Sequence, residues 1–225
     1  MKINFFLNKN NRSVSERKKI LKSIELKKIN SSKLKSYLKF NKSYFDDKSL
    51  GIGYGTYKND GRFEKSAKKF IKFFRLKKNS KILEIGCAKG FLLHEFKKKN
   101  MNVFGVDLSK YAVTKSHKAI RKNIKIQNVE DGIPFKNNFF DLVISKDTLP
   151  LIKKNKMNKV IREIIRVTKN KKNIYLYIQG VSKKNNSKLL KKWEPTTQIR
   201  WTSTQWVEKL KALGYNGFYE IKHLF

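Results

Sequence analysis

The chain has 225 residues, 39% of them hydrophobic and 12% aromatic, which is enough to bury one α/β domain and excludes both a very small scaffold and a disordered polyelectrolyte. A single cysteine excludes an internal disulfide and a zinc site built from several thiolates, pointing to a reducing compartment and a cytoplasmic protein. The net charge of +37 invites a nucleic-acid reading, but 46 of the 54 basic residues are Lys and only 8 are Arg, a Lys, Asn and Ile bias typical of AT-rich coding rather than of a selected phosphate-binding face.

At the N-terminus Ile3 and Phe5 to Leu7 are apolar, too short a run for a signal-peptide core, and no window is long enough for a membrane span. Ser15 is positioned to cap a helix running to about Ile29, with Ile20, Leu21, Ile24, Leu26 and Ile29 as candidates for its apolar side. Ser31 or Ser32 starts a second helix carrying Leu34, Tyr37 and Leu38. The stretch from Phe45 to Arg62 is expected to be a long loop, since Gly51, Gly53 and Gly55 interrupt any regular element. A third helix, from about Arg62 to Leu76, gathers Phe63, Ala67, Phe70, Ile71 and Phe74 on one side.

From Ser80 onward strands and helices alternate. Strands are expected at 81–86, 102–107, 124–127, 139–145 and 173–179, and helices at 91–99, 110–121 and 155–168. Ser203 or Thr204 caps a last helix that Gly214 ends, before a final strand within 217–225. Alternation of this kind predicts a doubly wound, mostly parallel Rossmann-like sheet of six or seven strands with helices on both faces. The expected division is a helical N-terminal extension with a glycine and aromatic lid loop over residues 1–62, and the main domain over 63–225.

The strongest motif is Glu84-Ile85-Gly86-Cys87-Ala88-Lys89-Gly90 at a strand-to-helix turn, with Asp107 ending the next strand. Small residues let a ligand approach the backbone there, and an acid about 20 residues on can hold ribose hydroxyls. The dinucleotide pattern G-x-G-x-x-G and a phosphate-cradling Lys-Ser or Lys-Thr are both absent, which suits a nucleoside without phosphates.

These residues resemble the class I S-adenosylmethionine-dependent methyltransferases, of the small-molecule type. The family's first motif matches Glu84, Gly86 and Gly90, with Cys87 and Ala88 between them, and its second matches Val106-Asp107-Leu108-Ser109. The stretches from Gln127 to Phe135 and from Asn138 to Ser145 are similar to its third and fourth strands and the loop between them. The resemblance implies that Asn128 meets the adenine edge, Val129 the adenine face, and that Leu108 and Ser145 belong to the same cofactor set. It also implies that Tyr54, Tyr57 and Arg62, in Gly53-Tyr54-Gly55-Thr56-Tyr57 and Asp60-Gly61-Arg62, lie near the methionine end. The implied product is S-adenosylhomocysteine, no metal is expected, and the acceptor is a small molecule such as a sugar or surface-glycan precursor.

Methyl transfer from a sulfonium depends mainly on alignment and water exclusion, so a general base is optional; Asp147 and Tyr57 are the foremost candidates, with Glu194 and His223 behind them. Trp193, Glu194, Arg200, Trp201 and His223 are the candidate acceptor residues, although a satellite core is an equal reading for the tryptophans. Pro150 stands where relatives often carry His. Two alternatives remain: an RNA methyltransferase docking through its basic N-terminus, which lacks an NPPY-type tetrapeptide at Ser145-Lys146-Asp147-Thr148, and a binding module that keeps the fold without turnover.

Overall fold

The computed structural model describes residues 5, 6, 13–25 and 31–225. Ile3, Leu7, Leu26 and Ile29, named above, lie outside the described residues. The N-terminal part contains α1 (Val14–Glu25), α2 (Ser31–Leu38), α3 (Lys42–Phe45) and α4 (Glu64–Phe73). The first helix starts ahead of the expected cap, because the Ser13 hydroxyl accepts the Glu16 N–H at 3.1 Å. The expected loop after Phe45 is instead preceded by a short helix and holds a 3-10 turn at Lys48–Leu50; Asn41 and Asp47 cap them, accepting from Lys42 N at 2.9 Å and Ser49 N at 2.8 Å.

The sheet consists of β1 (Lys81–Ile85), β2 (Asn102–Asp107), β3 (Ile124–Ile126), β4 (Leu142–Lys146), β5 (Ile174–Gly180) and β6 (Phe218–His223). Their order is β3-β2-β1-β4-β5-β6, and every pairing is parallel. Of the six or seven strands expected, six are present among the described residues, with β6 directly beside β5 from Tyr175↔Phe218 to Gly180↔His223. Chain order reverses between β1 and β4, so the crevice for a ligand opens beyond the carboxyl ends of those two strands.

The connecting helices are α5 (Phe91–Lys97), α6 (Lys110–Thr114), α7 (Lys118–Arg121), α8 (Met157–Val167), α9 (Ser187–Trp193) and α10 (Ser203–Ala212). The single helix expected over 110–121 is broken, because His117 Nδ1 accepts the Ala119 N–H at 3.2 Å and restarts the chain as a new helix. Sequence pattern also missed α9, whose one buried residue, Leu190, is too little periodicity to read.

Two cores flank the sheet. One gathers Phe70, Phe96, Tyr175 and Tyr177, and Phe5 and Phe6 enter it, Phe5 stacking on Phe70 at 4.2 Å and meeting Tyr175 edge-on at 4.7 Å. The other packs α8 and α10 through Ile161, Ile164 and the fully buried Trp206. Among the described residues no helix is long and apolar enough to cross a membrane.

Candidate active site

The turn after β1 is built around a steric requirement. Gly86 has φ of 67°, and a Cβ there would lie 2.0 Å from Thr148 Oγ1, so only hydrogen fits between β1 and the end of β4. Gly90 serves packing instead: its Cβ would meet Ile120 at 2.7 Å, so the glycine lets α5 close on α7. Asp107 at the tip of β2 accepts from Ala88 N at 2.6 Å and from Ser109 N at 2.7 Å. Burial raises the Asp107 pKa while those two amides pull the other way, so its carboxylate is fixed in place by backbone alone.

Above this floor lies a cavity of about 260 Å³, walled by Gly86, Ala88, Asp107, Leu108, Asn128 and Val129 on the sheet side. Asn128 Oδ1 accepts the Glu130 N–H at 3.0 Å, which sets the orientation of its side chain. Phe40, Tyr44, Phe45 and Tyr54 close the cavity from the N-terminal segment, with Lys146 and Asp147 at its end.

That roof is fastened to the turn itself. Lys89 Nζ donates to Asp46 Oδ1 and Oδ2 at 2.8 and 2.6 Å and to the Tyr57 carbonyl at 2.8 Å, and Tyr111 donates to Asp46 Oδ2 at 2.8 Å. Ser109 Oγ adds a bond to the Phe40 carbonyl at 2.5 Å. Sequence reasoning missed Lys89 and Asp46, which stand 43 positions apart with no local pattern joining them.

A second, smaller cavity of about 60 Å³ opens beside the first, lined by Glu84, Cys87, Tyr54, Tyr57, Arg62 and Lys146 among others. One Glu84 oxygen and the Ser66 hydroxyl are buried there without a partner. Burial pushes the Glu84 pKa up to about 8, Lys146 opposing the rise and Asp107 adding to it. Arg62 forks onto Asp60, Nε to Oδ1 at 2.8 Å and Nη2 to Oδ2 at 2.6 Å. Cys87 is buried, and burial drives its thiol up, which suits a packing residue.

A third cavity of about 120 Å³ shares Tyr44, Tyr54, Asp147 and Leu151 with the first and adds Gly53, Gln179, Trp193 and Glu194. Asp147 adopts a left-handed backbone with φ of 58°, a conformation that a non-glycine residue holds at a cost. Its Oδ2 is paired with Lys146 Nζ, whereas its Oδ1 is buried without a partner. Burial would lower the Lys146 pKa, but Asp147, Tyr54 and Tyr177 together more than offset this and hold the ammonium above its ordinary range. Glu194 accepts from Tyr37 OH at 3.0 Å, Tyr44 OH at 3.3 Å and Thr196 Oγ1.

Of the expected acceptor residues, Trp193 and Glu194 line this third cavity. The other three line none of these cavities: Arg200 donates to the Thr197 carbonyl at 3.1 Å, Trp201 packs edge-on against Trp206 at 4.8 Å, and His223 bonds Ser203 at 2.7 Å. Ser145 and Gly90 also stand outside the cavity walls, Ser145 being buried within β4 with an unpartnered hydroxyl.

A family model described as a methyltransferase domain matches residues 76–216, and one for protein-L-isoaspartate (D-aspartate) O-methyltransferase matches residues 3–133. No curated protein matches the sequence significantly. Among solved structures, the YcgJ protein of Bacillus subtilis is 18% identical with a TM-score of 0.52, the match covering 65% of this chain and 66% of that one. The BH2331 protein of Bacillus halodurans C-125 is 17% identical with a TM-score of 0.54, covering 66% and 68%. The [4+2]-cyclase SpnF is 17% identical with a TM-score of 0.53, covering 68% and 57%, so the shared fold by itself does not fix the chemistry.

Proposed function

Because the chain belongs to the class I S-adenosylmethionine-dependent methyltransferase family, we propose that the first and second cavities hold that cofactor and that the third receives a small-molecule acceptor. Residues 63–225 then carry the cofactor site, and the extension 1–62 supplies its roof.

The residues present fit the cofactor. Asp107 keeps lone pairs for ribose hydroxyls, Asn128 stands at the adenine edge, and Val129 and Leu108 offer apolar faces. The orphaned Glu84 oxygen and the Arg62 guanidinium line the second cavity together, a complementary pair for the ammonium and carboxylate of an amino acid. When bound, S-adenosylmethionine supplies a methyl group on a sulfonium, an already activated leaving group.

The observation that carries this reading is Asp147, which walls both the first and the third cavity and so stands where donor and acceptor meet. Its buried, unpartnered Oδ1 is suited to orient an acceptor and take its proton. Tyr57 is a poorer base, since burial drives its phenol far above neutral pH; it serves as a wall beneath the lid. Tyr44, Tyr54 and Leu151 exclude water at the junction.

An acceptor cavity of about 120 Å³ favours a small molecule, with a sugar or surface-glycan precursor as one class. Charge is the observation that favours RNA instead, but Phe40, Tyr44, Phe45 and Tyr54 cover the cofactor cavity. Calorimetry with S-adenosylhomocysteine should show a one-to-one complex that weakens at least tenfold in Asp107→Ala, and no binding at millimolar ligand would overturn the cofactor assignment. Labelled methyl transfer into a cell extract fractionated by size should mark low-mass compounds; label in RNA would favour the other acceptor.

A further inference from the structure

The third cavity is chemically unlike the rest of the protein. The sequence holds 54 Lys and Arg against 17 Asp and Glu, yet its eight wall residues include two carboxylates and no cationic side chain. Three of the remaining walls are aromatic: Tyr44, Tyr54 and Trp193. Aromatic faces joined to carboxylates form the environment that attracts an organic cation. Trp193 already shows that behaviour, with the Arg17 guanidinium carbon 6.0 Å from its ring centroid and Arg17 Nη1 bonded to the Leu224 carbonyl.

Both carboxylates sit in states that a cation would relieve. Asp147 Oδ1 is buried with no partner while Oδ2 is held by Lys146. Burial pushes the Glu194 pKa up, although Thr196, Tyr37 and Tyr44 donate to it. The neighbouring Lys191 acts on it only through space, its ammonium donating to the Pro195 and Thr197 carbonyls at 2.5 and 3.1 Å. An anionic group, such as a phosphate, would meet two carboxylates and no counter-charge on these walls.

We propose that the acceptor enters the third cavity as an ammonium ion, so that the enzyme methylates a small primary or secondary amine. This rests on the first cavity being the cofactor site. A cavity of about 120 Å³ has room for an ammonium with a few carbons attached. For transfer, the ammonium first gives one proton to Asp147 Oδ1, from which it leaves to water. The neutral nitrogen then forms a bond to the methyl carbon as the carbon–sulfur bond breaks, and the sulfonium's positive charge passes to the methylated nitrogen. The Asp147 carboxylate is regenerated and one proton is released.

The test uses full-length protein saturated with S-adenosylhomocysteine and two probes of equal shape, ethanolamine (an ammonium at neutral pH) and its uncharged isostere propan-1-ol. Ethanolamine should bind at least tenfold more tightly than the isostere, and Glu194→Gln should cut that preference at least fivefold. Equal binding of the two probes, no ethanolamine binding, or tighter binding of inositol or inorganic phosphate would each overturn the proposal. Saturation with S-adenosylhomocysteine is measured first: its failure would sink the cofactor reading, whereas success followed by no ethanolamine preference sinks only the amine. If Glu194→Gln does not fold, the comparison of probes on the unaltered protein decides alone.

Discussion

Lys89 Nζ, from the turn after β1, lies 2.6 Å from Asp46 Oδ2, in the segment that roofs the main cavity, and both side chains are largely buried. Burial by itself would raise the Asp46 pKa, but bonds from Lys89 and Tyr111 outweigh it and hold the carboxyl below its usual range. The pair therefore couples the turn after β1 electrostatically to the segment above the main cavity. Asp46→Ala strands a buried ammonium and should cost about 3 to 5 kcal/mol in denaturant unfolding. Replacing both partners, Asp46→Ala with Lys89→Met, should recover much of that loss. Because the folded pKa is depressed, the contribution is present above about pH 4 and is lost as pH falls through the lower folded value.

Glu84 has the opposite linkage. Its folded pKa of about 8 stands above the ordinary carboxylate range, so the folded chain holds a proton that the unfolded chain has released. Its contribution to stability is full below about pH 4.5 and falls as pH rises toward 8, with a limiting slope of about 1.4 kcal/mol per pH unit. Melting temperatures between pH 5 and 9 should show this decline, and Glu84→Gln should flatten it. Cofactor binding near pH 7 should also release protons, read as a dependence of calorimetric heat on buffer ionisation enthalpy, if an ammonium comes to rest beside Glu84.

Local spacing made part of this site legible. The turn from Glu84 to Gly90 and the acid at Asp107 lie within one strand-helix-strand unit, where sequence separation fixes spatial separation. Asp46, Lys89 and Tyr111 come together only because three distant elements converge, and no periodicity records that. The tryptophans divide for the same reason: Trp193 borders the third cavity while Trp201 packs edge-on against Trp206, a difference set by distant elements. The break between α6 and α7 turns on a histidine side chain acting as a cap, which composition alone does not signal.

The Tyr54 and Tyr57 rings lie 4.4 Å apart, tilted by 43°, in the roof, yet they differ in burial, 41% exposed against 8%. The sequence places both in one lid loop, a setting in which neither ring carries the ligand-free fold. With its ring packed on Phe91 at 4.7 Å, Tyr57→Ala should instead cost about 3 kcal/mol of stability. Tyr54→Ala should cost under about 1 kcal/mol while weakening S-adenosylhomocysteine binding, because Tyr54 walls the first cavity. Paired melting and calorimetry on the two variants check the division; equal stability losses would contradict it.

Gly86 and Gly214 have nearly the same backbone, φ of 67° and 66°, but different surroundings. At Gly214 a Cβ would meet nothing within 4 Å, so Gly214→Ala bears only the cost of a left-handed alanine, about 1 kcal/mol. At Gly86 the same carbon would fall 2.0 Å from Thr148 Oγ1 and 2.8 Å from its Cγ2. Thr148 is not free to move aside cheaply, since its hydroxyl donates to the Ile85 carbonyl at 3.1 Å and ties β4 to the very turn in question. Gly86→Ala must therefore push β1 and β4 apart at the floor of the main cavity, adding overpacking of about 1 to 3 kcal/mol to the backbone strain. The expected result is a melting temperature well below that of Gly214→Ala together with a loss of S-adenosylhomocysteine affinity of at least tenfold. In the double variant Gly86→Ala with Thr148→Ser, removal of the Thr148 methyl takes away the 2.8 Å contact and should recover part of the stability. Equal melting temperatures for the two glycine variants would show that the turn yields where the geometry says it is closed.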